Sequence, residues 1–235
     1  MRSRGFTLAE ILVAIALLTA IFAVALRYFV LQAEQTRRIQ ARNEVQERVR
    51  MVMEIVSQDL LLAGNQYFIN SESEKINLSL PYLSATDGQY KDTFTVKYVT
   101  SLRQKDSACR VVSYSFSGNT LQRRDVTCDK ENDSTIGAQP LAEQILVLDI
   151  TYVCSSFEEV TLNGQKVVRP VTATSGAPPC PPGSYTRSAR VRVLGRSLTK
   201  VPGSTFPDPA LANDCKDYLC FALEQEVLLP NLKDQ

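Results

Sequence analysis

Six cysteines carry the reactive chemistry of this sequence, and all of them lie beyond residue 100. An even set of thiols in a chain with a hydrophobic N-terminus is typical of disulfides formed outside the cytoplasm, in an oxidising compartment. Zinc binding is the alternative, and it favours pairs of the C-x2-C type. The closest pair here, Cys215 and Cys220, has four residues between its members. The spacing therefore favours disulfides over a metal site.

One disulfide can be placed from local geometry. Gly118-Asn119 suits a two-residue turn of the II′ type, in which glycine comes first. Strands paired around that turn put Cys109 directly opposite Cys128, within disulfide reach. The same register predicts a core face opposite to these cysteines, made of Val112, Tyr114, Phe116 and Leu121. The other cysteines are paired only by a nearest-neighbour hypothesis, which gives Cys154 with Cys180 and Cys215 with Cys220.

Residues that could perform catalysis are scarce in this chain. Histidine is absent, so there is no ready proton shuttle near neutral pH and no imidazole metal ligand. Asp129, Glu131 and Asp133 alternate as in the start of a calcium loop, but Ser134 and Pro140 stand where its glycine and glutamate belong. A solvated turn is the better interpretation. We find no nucleophile–base set and no phosphate loop, so the sequence predicts no enzyme, no cofactor and no metal.

Nucleic-acid binding has one weak indication. The chain carries 26 basic and 25 acidic residues, so its overall charge does not favour DNA. Arg190, Arg192 and Arg196 share one face of a predicted strand and could contact DNA phosphates. The alternative is an ordinary solvated face.

The N-terminal segment is built for a membrane. Arg2 and Arg4 form a basic tip, and Phe6–Leu26 is apolar apart from a few polar residues. As a helix it would span about 31 Å, the thickness of a bilayer's hydrocarbon core. A plain anchor would explain this pattern, and so would a secretory signal cleaved after Ala23-Val-Ala25. Neither explains Glu10, because a carboxylate in an apolar run is costly and usually functional.

The segment Gly5-Phe-Thr-Leu-Ala-Glu10, behind a short basic leader and ahead of an apolar run, resembles the class III signal of type IV prepilins. The resemblance implies that a prepilin peptidase cuts after Gly5, that Phe6 is then N-methylated, and that Glu10 takes part in subunit docking. Residues 1–5 would be the leader and residues 6–26 the transmembrane and filament-core helix. The expected partners are the peptidase, the inner membrane and other pilin or minor pilin subunits.

A single long helix is predicted beyond the membrane. No glycine or proline occurs from Phe6 to Ala63, which gives a helix of roughly 85 Å. Residues 32–40 are predicted to be an exposed neck, and Gly64-Asn65 to end the helix. An apolar stripe should pack against a head: Ala41, Val45, Val49, Val52, Val56, Leu60 and Ala63. The opposite face is predicted to be solvated: Arg42, Glu47, Arg48, Arg50, Glu54 and Asp59. A coiled coil is the rival interpretation of the stripe.

The predicted fold class is α+β, with residues 27–63 as neck and amphipathic helix and residues 64–235 as a mostly antiparallel head. The predicted strands are 93–102, 109–116, 120–128, 145–153, 159–168, 187–198 and 219–229. The helix ending Leu60-Leu-Leu-Ala-Gly64 is similar to that of PilW-type minor pilins and of J-type pseudopilins of type II secretion. Many major pilins of the family that this sequence resembles have a proline inside the N-terminal helix. Its absence here, together with the chain length, implies a low-copy subunit.

The predicted function is a minor pilin that initiates or caps a type IV pilus, serving adhesion, motility or DNA uptake. Its head would lie in the periplasm and later on the filament or cell surface. A type II secretion pseudopilin and a membrane-tethered extracytoplasmic binding protein are the alternatives.

Overall fold

The computed structural model describes residues 8–70, 73–162, 165–178 and 180–232. Its helix, α1, runs from Leu8 to Leu62 without a break. Because the sequence holds no glycine or proline there, nothing interrupts the backbone hydrogen bonding. Gly64 follows the helix with φ of 79°, and a Cβ at this position would come 2.8 Å from the backbone oxygen of Asn231. The predicted end of the helix is therefore confirmed, and glycine is required there.

The second half of α1 packs on the head as predicted. All seven residues of the apolar stripe are at most 2% exposed, while residues 32–40 are exposed throughout. Each valine or leucine buried in this way contributes roughly 1.5–3 kcal/mol. The stripe faces one core that also includes Val112 and Tyr114 from one sheet and Val191 from another. A coiled-coil seam is thus not needed to explain the stripe.

The head consists of β-strands of different lengths, which are numbered in chain order. Their bounds are β1 Tyr67–Ile69, β2 Ser73–Lys75, β3 Leu83–Thr86, β4 Thr93–Val99, β5 Cys109–Ser117, β6 Thr120–Thr127, β7 Gln139–Ala142, β8 Ile145–Leu162, β9 Gln165–Ser175, β10 Tyr185–Arg196 and β11 Cys220–Leu228. Within the described ranges, single 3-10 turns occur at Lys105–Ser107 and Cys128–Lys130.

In the described part of the chain, the strands form three antiparallel sheets. Their orders are β3-β4-β5-β6-β7, β11-β10-β8-β9 and β1-β2. An isolated parallel bridge pairs Lys91, in the segment between β3 and β4, with Leu148 of β8 in the other large sheet. The buried carboxylate of Asp92 strengthens the junction by accepting hydrogen bonds from the backbone N–H groups of Gly88 and Ile150, at 2.8 and 2.7 Å. One long helix packed on antiparallel sheets confirms the predicted α+β class.

The β5–β6 hairpin has the predicted register. Gly118 takes φ of 61°, as the first position of a II′ turn requires. Tyr114 lies opposite Arg123, and Val112 lies opposite Asp125. Of the predicted core face, Val112, Tyr114 and Leu121 are buried and Phe116 packs against the same core.

One predicted strand is wrong. Residues 159–168 were expected to form a single strand, but the chain reverses within them, and β8 and β9 pair from Leu162 opposite Gln165 down to Tyr152 opposite Ser175. The dipeptide Asn163-Gly164, which lies outside the described residues, is a strong hairpin-turn signal. Strand periodicity continues through such a reversal, so the alternation alone did not reveal it.

Candidate assembly surface

The first half of α1 presents apolar side chains on all its sides. Fifteen of them are at least half exposed: Leu8, Ile11, Leu12, Val13, Ile15, Leu17, Leu18, Ile21, Phe22, Val24, Leu26, Tyr28, Phe29, Val30 and Leu31. An 18-residue window of this helix has a mean hydropathy of 2.6, and none of it is buried. A helix that is hydrophobic all round needs a membrane or a bundle of neighbours around it. This stretch of α1, residues 8–31, is called the apolar segment below.

Polar groups within the apolar segment are few. Thr19 is satisfied inside the helix, because its hydroxyl donates to the carbonyl oxygens of Ile15 and Ala16 at 3.0 and 2.9 Å. Glu10 lies in the first described turn and is exposed on the helix surface. Its carboxylate is the one acidic group of the segment, at the end of the helix where the dipole favours negative charge. Gly5 and Phe6, the predicted cleavage and methylation residues, lie outside the described residues.

A buried ion pair fixes the helix to the head. The prediction that Asp59 is solvated is wrong, because this residue is only 4% exposed. The carboxylate accepts hydrogen bonds from Arg123 Nε at 2.9 Å and Nη2 at 3.1 Å. It also accepts from the hydroxyls of Tyr98, at 2.9 Å, and Tyr114. A buried carboxylate is tolerated only when it is paired in this way.

Burial beside Asp59 also changes the pKa values of the two tyrosines. Burial raises the pKa of Tyr98 and of Tyr114 above the ordinary value of 10, and the negative charge of Asp59 raises both further. Both hydroxyls therefore stay protonated and keep donating to Asp59 throughout the physiological pH range. The cluster clamps one end of α1 to the five-stranded sheet.

The cluster could have been found from the sequence. Asp59 follows Val45 and Val52 at intervals of seven residues, so it lies on the buried stripe rather than opposite to it. An acidic residue at a stripe position signals a buried partner. Nothing in the local pattern, however, indicates that the partner is Arg123.

The six cysteines form three disulfides, in the pairs that the sequence predicted. The Cα separations are 5.5 Å for Cys109–Cys128, 5.8 Å for Cys154–Cys180 and 5.9 Å for Cys215–Cys220. The first joins the ends of the β5–β6 hairpin. The second ties β8 to the proline-rich loop before β10, and the third closes the loop before β11.

The three arginines of the DNA hypothesis lie on β10, each near an acidic or carbonyl group, although the 3.6 Å between Arg190 and Glu224 exceeds hydrogen-bond length. Their partners are Glu224 for Arg190, Asp208 for Arg192, and Gln144 with the backbone oxygen of Asp214 for Arg196. The Arg196 guanidinium also stacks over the ring of Tyr218, 4.6 Å from its centroid. A phosphate would have to compete with these groups.

The long helix has an uncovered apolar segment, and its second half is clamped to a disulfide-bonded antiparallel head. This combination defines a pilin-like protein. Residues 1–26 match the family model of the prokaryotic N-terminal methylation motif. The chain is 43% identical, over 98% of its length and 97% of the relative's, to the pilin-like protein PilA3 of Thermus thermophilus. It therefore belongs to the type IV pilin-like proteins.

A solved structure is also similar to this chain. It is a type IV-like pilin from Thermus thermophilus, with a TM-score of 0.47 and 11% identity, over 80% of this chain and 97% of that one.

Proposed function

We propose that this protein is a minor pilin, a low-copy subunit that joins a type IV pilus through its N-terminal helix and helps to initiate or cap the filament. The apolar segment carries the proposal, because its side chains are uncovered on every side and only a membrane or neighbouring helices can bury them. The absence of proline from Phe6 to Ala63, where many major pilins carry one, supports the low-copy role.

Processing would complete the assembly site. Cleavage after Gly5 frees an ammonium group on Phe6, which is the proposed methylation site, one helical turn before Glu10. In a filament this ammonium can approach the Glu10 carboxylate of a neighbour. Such a pair at about 4 Å contributes about 4 kcal/mol before desolvation, at an effective dielectric constant near 20. Because an unpaired carboxylate in hydrocarbon is costly, the pairing would also set the axial register of subunits.

The same proposal fixes the topology. Residues 6–26 would span the inner membrane, residues 27–63 would form the neck and amphipathic helix, and the head would lie in the periplasm. Three disulfides in the head support an oxidising compartment. The protein would act through assembly with other subunits and not through catalysis.

Replacing Glu10 with alanine tests the assembly role. We expect normal membrane insertion and cleavage, because alanine makes the segment more apolar, but fewer pili and less co-purification with other pilin subunits. The measurement is made in a strain whose only copy is the variant, with Glu47→Gln, an exposed carboxylate of the same helix, as the matched control. Wild-type assembly with Glu10→Ala would contradict the role given to this carboxylate.

A strain that lacks this protein distinguishes a role in the pilus from a role in type II secretion. Loss or shortening of pili with normal protein secretion supports the minor pilin. Loss of secretion with normal pili would instead identify a type II pseudopilin.

A DNA contact by Arg190, Arg192 and Arg196 stays a prediction, to be measured by DNA binding of their glutamine variants.

A further inference from the structure

A cleft lined by arginines opens beside the clamped end of α1. It has a volume of about 430 Å³ and is lined by Arg103, Arg110, Arg123 and Asp125, with Ile136 and Leu141 among its apolar residues. Arg110, Arg123 and Asp125 lie on β5 and β6 on the same face as the core residues Val112 and Leu121. Because α1 does not cover this end of the sheet face, the side chains meet an open cavity. We call it the arginine cleft.

The guanidinium groups of the cleft exceed the carboxylates that neutralise them. Arg123 donates hydrogen bonds from Nε and Nη2 to Asp59 and from Nη1 to Asp125, the last at 3.2 Å. Arg110 gives Nε to Asp125 at 2.7 Å. Arg103 lies 3.8 Å from the same carboxylate, beyond hydrogen-bond length. Three positive and two negative groups leave one positive charge in the cluster.

Hydrogen-bond donors are also in excess. A guanidinium carries five N–H donors in a planar fork. Arg110, whose side chain is only 9% exposed at the floor of the cleft, directs Nε and Nη2 to Asp125, and the half-exposed Arg103 fork has only a long contact to the same carboxylate. One incoming oxyanion would satisfy both the charge and the donors.

The shape of the cleft selects among oxyanions. Because Arg110 lies at the floor, the ligand needs a single charged group on a narrow stem. The apolar side chains of Ile136 and Leu141 suit the methylene groups of an acidic side chain. A DNA strand would bring adjacent phosphates, each needing a cation of its own, and its charged backbone would meet these apolar walls. One carboxylate matches the single excess charge, and arginine forks bind carboxylates with two parallel hydrogen bonds.

We propose that the arginine cleft binds the carboxylate of an acidic peptide segment supplied by a neighbouring pilin-like subunit. The identity of the partner rests on the proposed function, while the ligand chemistry rests on the cleft alone. In the filament, this contact would lock head to head, in addition to the helix packing.

Peptide binding to the detergent-solubilised full chain tests the proposal. The probe is a fluorescein-labelled, capped pentapeptide with one central glutamate among glycines and serines, and the same peptide with glutamine is its control. We expect saturable binding of the glutamate peptide, and about tenfold weaker binding by Arg103→Gln, which removes a charged fork. Arg190→Gln is the matched protein control, because Arg103 and Arg190 side chains are both 52% exposed, and it should bind as wild type.

Three outcomes would overturn the inference. They are equal binding of the two peptides, equal weakening by the two arginine variants, and a short single-stranded DNA that binds more tightly than the peptide with the same dependence on Arg103. Because Arg103 is exposed, its replacement leaves the fold intact, which unchanged thermal unfolding verifies. The assay needs no filament, so loss of the minor pilin role in the deletion strain would leave a positive binding result standing.

Discussion

Replacing Asp59 with asparagine removes the charge that holds α1 on the five-stranded sheet. The carboxylate accepts four hydrogen bonds, two from Arg123 and one each from Tyr98 and Tyr114. Asparagine keeps one acceptor oxygen, but its NH2 group replaces the second oxygen. This NH2 group is a donor and would face the donors of Arg123 and the tyrosines. The Arg123 guanidinium also loses its main counter-ion and keeps only Asp125, at 3.2 Å.

The magnitude follows from burial and from the remaining partner. Removing one member of a buried ion pair costs about 3–5 kcal/mol. The Arg123 side chain is 23% exposed and retains Asp125, so we expect the lower end, about 3 kcal/mol. For a domain of this size, the same loss lowers the unfolding temperature by roughly 6–12 °C.

The assay is thermal and denaturant unfolding of the detergent-solubilised protein, followed by circular dichroism with the disulfides intact. Glu47→Gln, on the exposed face of the same helix, should change the free energy of unfolding by less than about 0.5 kcal/mol. The double variant Asp59→Asn with Arg123→Met should recover part of the lost stability, because it removes both charges and keeps an acceptor oxygen for the tyrosine hydroxyls. An Asp59→Asn protein within about 1 kcal/mol of wild type, or strictly additive effects of Asp59→Asn and Arg123→Met in the double variant, would refute the clamp.

Three further predictions concern processing, the hairpin and pH. Intact-mass analysis of membrane-extracted protein should show a methylated Phe6 as the N-terminus, and a soluble product starting near residue 26 would contradict the prepilin interpretation of the signal. Non-reducing tryptic mapping should yield a peptide linking Cys109 to Cys128, and replacing both with serine should lower the free energy of unfolding by roughly 3 kcal/mol because a loop constraint is lost. Because burial raises the pKa of Tyr98 and Tyr114 above 10, their contribution to stability should be complete below pH 10 and decline as the pH rises further. Unfolding midpoints measured from about pH 8 to about pH 12 check this, and an unchanged midpoint above pH 10 would contradict it.

Features that depend on neighbours along the chain were predictable before the fold was known. The uninterrupted helix follows from the absence of glycine and proline, and its buried stripe follows from spacings of three and four residues. The β5–β6 register, with Cys109 against Cys128, follows from one two-residue turn. The local signal at Asn163-Gly164 was equally present, and overlooking it produced the one wrong strand.

Which distant side chains meet depends on how the helix and the sheets pack together. Asp59 and Arg123 are 64 positions apart, and no periodicity relates a helix position to a particular place on β6. The arginine cleft likewise draws Arg103 from a loop, Arg110 from β5 and Arg123 from β6. Hydrophobic stripes are interchangeable, because any apolar surface can bury them, and so a pattern is enough to predict them. Buried charges require one partner at one distance, and that distance exists only once the helix and the sheets have packed.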